Sequence, residues 1–173
     1  GTAPEGSGVI VSNNGLIVTA SHVVSRATDV IVRDINGNKF NAEIIFDDPL
    51  TDLALLKTKI NNNKININLK RPKIGSNTCL ISNSFGLDLN ITCGIVSSNR
   101  KSGIGFNSKE DFIQIDAAAN PGSSGGAVVN ENGELIGIMS GIFTKQSDTN
   151  VGVNFAISSE LLIKTISHLL KWV

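Results

Sequence analysis

The chain has 173 residues, 40% hydrophobic and 17% charged, a globular composition with enough length for a substantial core. Lys+Arg and Asp+Glu each number 15, so no net field draws in nucleic acid or an anionic membrane surface, and neither partner is expected. No apolar stretch nears the roughly 20 residues of a membrane-spanning helix, and two scattered His and two Cys offer no zinc spacing.

The chain starts at Gly1 without methionine and so reads as trimmed, with any export signal illegible. Val9-Ile10-Val11 and Leu16-Ile17-Val18-Thr19 flank Asn14-Gly15, a strong hairpin signal, so a β-meander is expected first. At the end of its second strand, Ala20-Ser21-His22-Val23-Val24 sets an imidazole among small and apolar neighbours. With an unperturbed pKa of about 6.5, such a ring can take a hydroxyl proton and return it to a leaving amine.

Strands are expected over 29–33 and 39–46, turned at Asn36-Gly37. Asp47-Asp48-Pro49-Leu50-Thr51-Asp52 then runs into Leu53-Ala54-Leu55-Leu56. Asp52, against the apolar strand, is the carboxylate expected to be buried, where an imidazole N–H would satisfy it. Asp47 and Asp48, just before Pro49, read as solvated turn residues. The Asn-rich residues 61–68, ending near Arg71-Pro72, read as a linker between two halves.

In the second half, strands are expected around 78–81, 89–93, 95–98 and 112–115, with Gly86 and Gly94 as connectors. Residues 100–109, with Gly103 and Gly105, read as a mobile flap. Cys79 and Cys93 lie on either side of a hairpin, where a cross-strand disulfide and two buried thiols both remain open. Asn120-Pro121-Gly122-Ser123-Ser124-Gly125-Gly126-Ala127 combines a hydroxyl nucleophile with a backbone able to aim successive N–H groups at one point, which an oxyanion hole requires. Strands at 127–129, 135–142 and 151–157 follow, the first two joined at Asn132-Gly133. Ser158 and Ser159 cap the one expected helix, 160–172, whose apolar residues recur at helical spacing and on which His168 reads as a packing residue.

The order His22, Asp52, Ser124 is that of the chymotrypsin-type triad. The three local contexts are Thr19-Ala20-Ser21-His22-Val23-Val24, Asp52-Leu53-Ala54-Leu55-Leu56-Lys57 and Asn120-Pro121-Gly122-Ser123-Ser124-Gly125-Gly126. Gly6-Ser7-Gly8-Val9-Ile10, Asn83-Ser84-Phe85-Gly86, Asp116-Ala117-Ala118 and Phe155-Ala156-Ile157 add to them. Together they resemble the HtrA/Deg branch of trypsin-like serine proteases over almost the whole chain.

That resemblance implies an all-β fold of two six-stranded antiparallel β-barrels (trypsin-like) with a C-terminal α-helix: residues 1–70 with His22 and Asp52, 71–158 with Ser124, and 159–173 as the helix, together one protease domain. It implies a serine endopeptidase acting through an acyl-enzyme, with Ser124 as nucleophile, His22 as general acid/base and Asp52 orienting His22. Gly122 and Ser124, with Ser123 as a third donor, would form the oxyanion hole. An S1 pocket from Ala118, Ser140, Gly141, Ile142 and Asn154 offers no charge, so small or medium apolar P1 residues in unfolded or exposed protein segments are the expected substrates. No metal or organic cofactor is implied, and a periplasmic or exported location is.

Ser123 stands where HtrA proteases usually have Asn, Ala127, Ser84 and Ser158 where Pro is common, and Asn154 where Gly is common. The Asn154 amide at the pocket floor would admit a polar P1 group. With uncharged Ser123 and no Ile-Val-Gly start, control through loop ordering is expected rather than a zymogen salt bridge. The PDZ domain and trimerising segment that such proteases often carry are not within these residues, so the resemblance does not carry over an oligomeric state. A trypsin-fold binding module with a latent triad is the other open reading; an α/β-hydrolase esterase would need Ser before Asp before His.

Overall fold

In the computed structural model, residues 5–83, 89–142 and 152–170 are described. The two expected hairpins form where Gly15 and Gly37 both take φ of 85°, the left-handed conformation such turns need. The first sheet is antiparallel, in the order β1 (Val9–Ile10), β2 (Leu16–Ala20), β5 (Leu53–Thr58), β4 (Lys39–Asp48), β3 (Val30–Arg33). β2 and β5 are its apolar centre, while β4 alternates exposed and half-buried residues along its length. This half is an open sheet of five described strands, where a closed barrel of six was expected. The residues after β5 meet the β1 edge of this sheet without forming a sixth described strand. The Ile65 N–H donates to Ile10 O, and Ile67 then makes a parallel bridge to Leu135 in the other half. The Asn-rich linker is thus stitched to both halves.

The second half is a closed barrel in the order β10 (Leu135–Ile142), β11 (Asn154–Ser158), β8 (Phe112–Ile115), β7 (Asn90–Lys101), β6 (Asn77–Ser82), β9 (Ala127–Val129). β7 runs through Gly94, where the sequence suggested a break between two strands. Gly94 sits there because the Asp116 carboxylate packs against it: a Cβ would lie 2.1 Å from Oδ1, which accepts the Ile95 N–H at 2.7 Å. Cys79 and Cys93 face each other across β6 and β7 and form a disulfide.

Three apolar clusters hold the molecule. One, with Leu80, Val96, Ile115, Val128 and Met139, fills the barrel. A smaller one, around Ile17, Ala54 and Leu56, belongs to the open sheet. The third, with Leu16, Leu53, Phe112, Leu135, Ile157 and Leu162, draws on both sheets and on the helix α2 (Ser159–Leu170), and so joins the halves. The Ser158 hydroxyl accepts the Leu161 N–H at 3.1 Å as an N-cap, Glu160 occupies the first turn, and Leu161, Leu162 and Ile166 face the core. His168 packs edge-on to Phe46 at 5.9 Å between ring centroids. Arg71, at the end of the linker, pairs with Asp111 and Glu160 and donates to Asn99 O at 2.9 Å, clasping the linker to α2 and the barrel.

Candidate active site

The antiparallel register of β2 and β5 sets Ala20 opposite Leu53. The residues after β2 and the one before β5 therefore leave the sheet side by side. The chain after β2 winds into a one-turn helix, α1 (Ser21–Val24), that the sequence reading did not anticipate; the Ser21 N–H donates to Asp52 O at 2.9 Å and Ser25 N–H closes the turn on Ser21 O. Asp52 has φ of 65°, the one positive value at a non-glycine among the described residues. Aspartate tolerates this conformation better than most residues, and here it turns the carboxylate back toward α1.

That carboxylate takes three donors. The His22 backbone N–H lies 2.9 Å from Oδ1, His22 Nδ1 lies 2.9 and 2.8 Å from Oδ1 and Oδ2, and the Ser140 hydroxyl donates to Oδ2 at 2.6 Å from β10 of the other half. An ionised carboxylate only accepts, so Nδ1 carries the proton and Nε2 presents its lone pair. Nε2 lies 3.0 Å from Ser124 Oγ. The hydrogen bond to Asp52 raises the His22 pKa above its ordinary 6.5, outweighing the burial that opposes it. Its side chain is 54% exposed and that of Asp52 9%, so the chain of contacts runs from a buried acid to an open base.

Asp47 is exposed and Asp48 half-buried, in keeping with the solvated reading, but both are also engaged. Both end β4, paired with Ala54 and Leu53. Asp47 accepts the Ser21 hydroxyl beside His22, and Asp48 closes the turn by accepting Thr51 Oγ1 at 2.8 Å and the Leu50 N–H at 3.2 Å.

Ser124 follows a turn in which the Ser123 N–H donates to Asn120 O at 2.9 Å. With Pro121 at the second position and Gly122 at the third with φ of 94°, this is a type II turn, built from the residues it demands. Its closure engages the Ser123 N–H, so Ser123 offers no third donor. Its buried hydroxyl accepts the Asn120 N–H at 3.0 Å and lies 3.3 Å from Ser82 Oγ. Among the described residues, the N–H groups of Gly122 and Ser124 have no acceptor.

Residues 102–110 close one side of the cleft and are tied down rather than loose. Glu110 accepts the N–H groups of Ile104, Gly105, Phe106 and Asn107 at 2.7 to 3.3 Å. Burial alone would raise the pKa of Glu110, but these donors outweigh it and hold the carboxyl below the ordinary carboxylate range. Phe106 stands edge-on to Phe155, and the Lys109 N–H donates to Leu50 O at 2.8 Å across the halves. Between this loop and His22 lies an open groove of about 460 Å³, lined in part by Pro49, Asp52, Phe106 and Asn107.

Of the residues expected to form S1, Ile142 and Asn154 are neighbours across β10 and β11, and Ala118 follows the residue that the Asn154 amide contacts. Ser140 faces Asp52. Ala118 is exposed and its carbonyl accepts the Thr92 hydroxyl. Asn154 is fully buried on the face of β11 that Ala156 directs into the barrel, and its amide donates to Ala117 O at 2.7 Å. Gly141 pairs with Phe155 and Ile142 with Asn154; their side chains, like Ser84, Phe85 and Gly86, lie outside the described residues. Glu110 went unrecognised, and Ser140 was expected at S1, not as a donor to Asp52. A lone hydroxyl within the apolar run of β10 was a signal that a buried acceptor exists, but nothing in the sequence says which.

An open sheet and a barrel facing across a cleft, with histidine between a buried aspartate and a serine, define the chymotrypsin-like class. The chain belongs to the trypsin-like peptidase domain family, whose profile matches residues 6–138. It is 40% identical over 171 residues to the periplasmic serine endoprotease DegP of Escherichia coli (strain K12), covering 96% of this chain and 36% of DegP. It is likewise 40% identical to the serine endoprotease DegS of that strain, covering 48% of it. Among solved structures, the HtrA-type protease AlgW with a decapeptide superposes with a TM-score of 0.90 at 38% identity, over 96% of this chain and 51% of that one. The chain thus spans about a third to a half of the relatives it matches. Among the described residues, no helix is long and apolar enough to cross a membrane.

Proposed function

We propose that residues 1–70, 71–158 and 159–173 act together as the catalytic domain of an HtrA/Deg-like serine endopeptidase. The observation that carries this reading is His22, with Nδ1 at 2.8 Å from Asp52 and Nε2 at 3.0 Å from Ser124 Oγ. His22 Nε2 takes the Ser124 proton as Oγ attacks the scissile carbonyl, and Asp52 stabilises the imidazolium that forms. The Gly122 and Ser124 N–H groups receive the charge developing on the carbonyl oxygen. His22 then gives its proton to the leaving amine, and the acyl-enzyme is hydrolysed by a water that His22 deprotonates.

The substrates are unfolded or exposed protein segments with a small or medium apolar P1 residue. Ala118, Gly141 and Ile142 bring no charge to neutralise a cation, so cleavage after Lys or Arg is expected to be poor. Because the Asn154 amide is engaged by Ala117 O, it adds little polarity to the pocket. Export to an oxidising compartment such as the periplasm is supported by the Cys79–Cys93 disulfide and by the DegP relative's location.

Incubation of the chain with casein, beside Ser124→Ala, tests the reading. Wild type is expected to cleave casein and to take a fluorophosphonate label. Ser124→Ala is expected to lose about 10⁶-fold in rate and to take no label. Labelling or cleavage that persists in Ser124→Ala would assign the chemistry to another residue.

A further inference from the structure

The segment before β1 contributes nothing to the reaction just described, yet one of its residues contacts the nucleophile loop at three points. The Ser7 N–H donates to Ser124 O at 2.8 Å, and the Ser7 hydroxyl donates to Gly122 O at 2.7 Å. Gly125 passes so close that a Cβ there would lie 2.0 Å from Ser7 O. Ser7 is itself held from two sides: its hydroxyl accepts the Asn83 N–H at 2.8 Å, next to β6, and its carbonyl accepts the Thr19 hydroxyl at 2.7 Å, from the strand that leads to His22.

The geometry of these bonds matters more than their number. The Ser124 N–H belongs to the peptide between Ser123 and Ser124. Ser7 holds the carbonyls of the peptides on either side of it, Gly122 O before and Ser124 O after. The peptide between Gly122 and Ser123 is fixed at both ends, because its N–H is engaged by Asn120 O. The unengaged donor is therefore bracketed by clamped peptide units, and the carbon that carries the second donor, Gly122 N–H, is anchored through its own carbonyl. With one donation and one acceptance the hydroxyl fixes its own rotor, so it works as a rigid strut rather than an adaptable contact.

We infer that Ser7 is a positioning residue for the oxyanion donors. It is supplied by the open-sheet half of the molecule to orient Gly122 and Ser124 in the barrel half. The inference rests on the catalytic reading above. Without the hydroxyl, Gly122 O loses its donor and Asn83 N–H its acceptor, and the peptides beside Ser124 gain freedom to tilt. Donors that must meet charge only in the transition state then meet it less well, which lowers turnover while leaving ground-state binding intact.

The test compares the wild-type chain with Ser7→Ala, Ser7→Gly and Ser7→Thr, Gly retaining the N–H bond to Ser124 and Thr retaining the hydroxyl. The readouts are kcat and KM on a peptide amide, the rate of fluorophosphonate labelling, and affinity for a valine-terminated peptide aldehyde and for the matching alcohol. The aldehyde forms a tetrahedral adduct that needs the oxyanion donors; the alcohol does not.

Ser7→Ala is expected to lower kcat by about tenfold or more, toward the roughly hundredfold of a 1 Å misplacement. KM and alcohol affinity stay unchanged, and aldehyde affinity falls by a similar factor. Ser7→Thr recovers most of the loss. If Ser7→Ala does not fold, Ser7→Gly is expected to give the same pattern. Wild-type kcat and aldehyde affinity in a folded variant lacking the hydroxyl would overturn this inference alone, as would equal loss of aldehyde and alcohol affinity. A wild-type chain that takes no fluorophosphonate label would overturn the catalytic reading and this inference with it.

Discussion

The two halves of the molecule are built to different standards of closure. The barrel has no free edge, and its strands β8 to β11 are buried almost throughout. The open sheet leaves β3 as an edge, alternates half-buried with exposed positions along β3 and β4, and has a small cluster of its own. Yet the open sheet carries Asp52 and His22, the proposed orienting acid and general base. What it lacks in closure it receives from the barrel: Ser140 donates to Asp52, and the Lys109 N–H holds Leu50 just before it. The barrel's nucleophile loop is held in turn by Ser7 from the other side. Each half's chemical groups are oriented by the other, so the site exists only where the halves meet.

Under that arrangement, breaking the dyad should have the largest effect short of removing Ser124 itself. Asp52→Asn offers an amide N–H to a pocket that already presents three donors and favours the wrong His22 tautomer, so kcat is expected to fall about 10⁴-fold with little change in KM. A fall below tenfold would mean that Asp52 does not orient His22.

Acid comes next, and here activity and stability run in opposite directions. On the proposed mechanism cleavage needs neutral His22, whose pKa is raised, so kcat/KM is expected to fall about tenfold per pH unit once the pH drops below that raised value. The same shift means that the folded chain holds the His22 proton more tightly than the unfolded chain does. The His22–Asp52 pair therefore adds stability that is fully present below about 6.5 and is lost as the pH rises through the raised value. A pH–rate profile beside thermal melts across the same range checks both signs.

Ser140→Ala probes the reciprocity directly, since it changes the barrel and is read out in the sheet. Loss of a hydrogen bond to a charged carboxylate is expected to lower kcat about tenfold. Unchanged kcat would show that the open sheet orients its dyad unaided.

The smallest effect separates two glycines of similar backbone. Gly125 and Gly133 have φ of 87° and 74°, but a Cβ at Gly133 meets nothing within 4 Å, whereas at Gly125 it meets the Ser7 carbonyl. Gly133→Ala is expected to cost about 1–2 kcal/mol in urea unfolding, from backbone conformation alone, and Gly125→Ala clearly more. Equal costs would mean that the strap carrying Ser7 yields easily.

What the sequence determined was local or pattern-borne. The hairpin turns at Asn14-Gly15 and Asn36-Gly37, the type II turn at Pro121-Gly122, the cap and apolar stripe of α2, and the apolar strands all follow from residue type and near neighbours. Because the residues of the proposed triad carry their own motifs, they too were legible, and the register of β2 with β5 then brings His22 and Asp52 together. Tertiary structure decided what depends on a partner far along the chain. The linker paired with both halves instead of adding a sixth strand to the sheet, Gly94 stayed inside β7 because Asp116 packs there, and the Ser140 hydroxyl found its acceptor in Asp52. Ser7 met a loop 115 residues away. A hydroxyl or a carboxylate announces in sequence that it needs a partner, but hydrogen bonds are short and directional, so only the packed chain selects which one it finds.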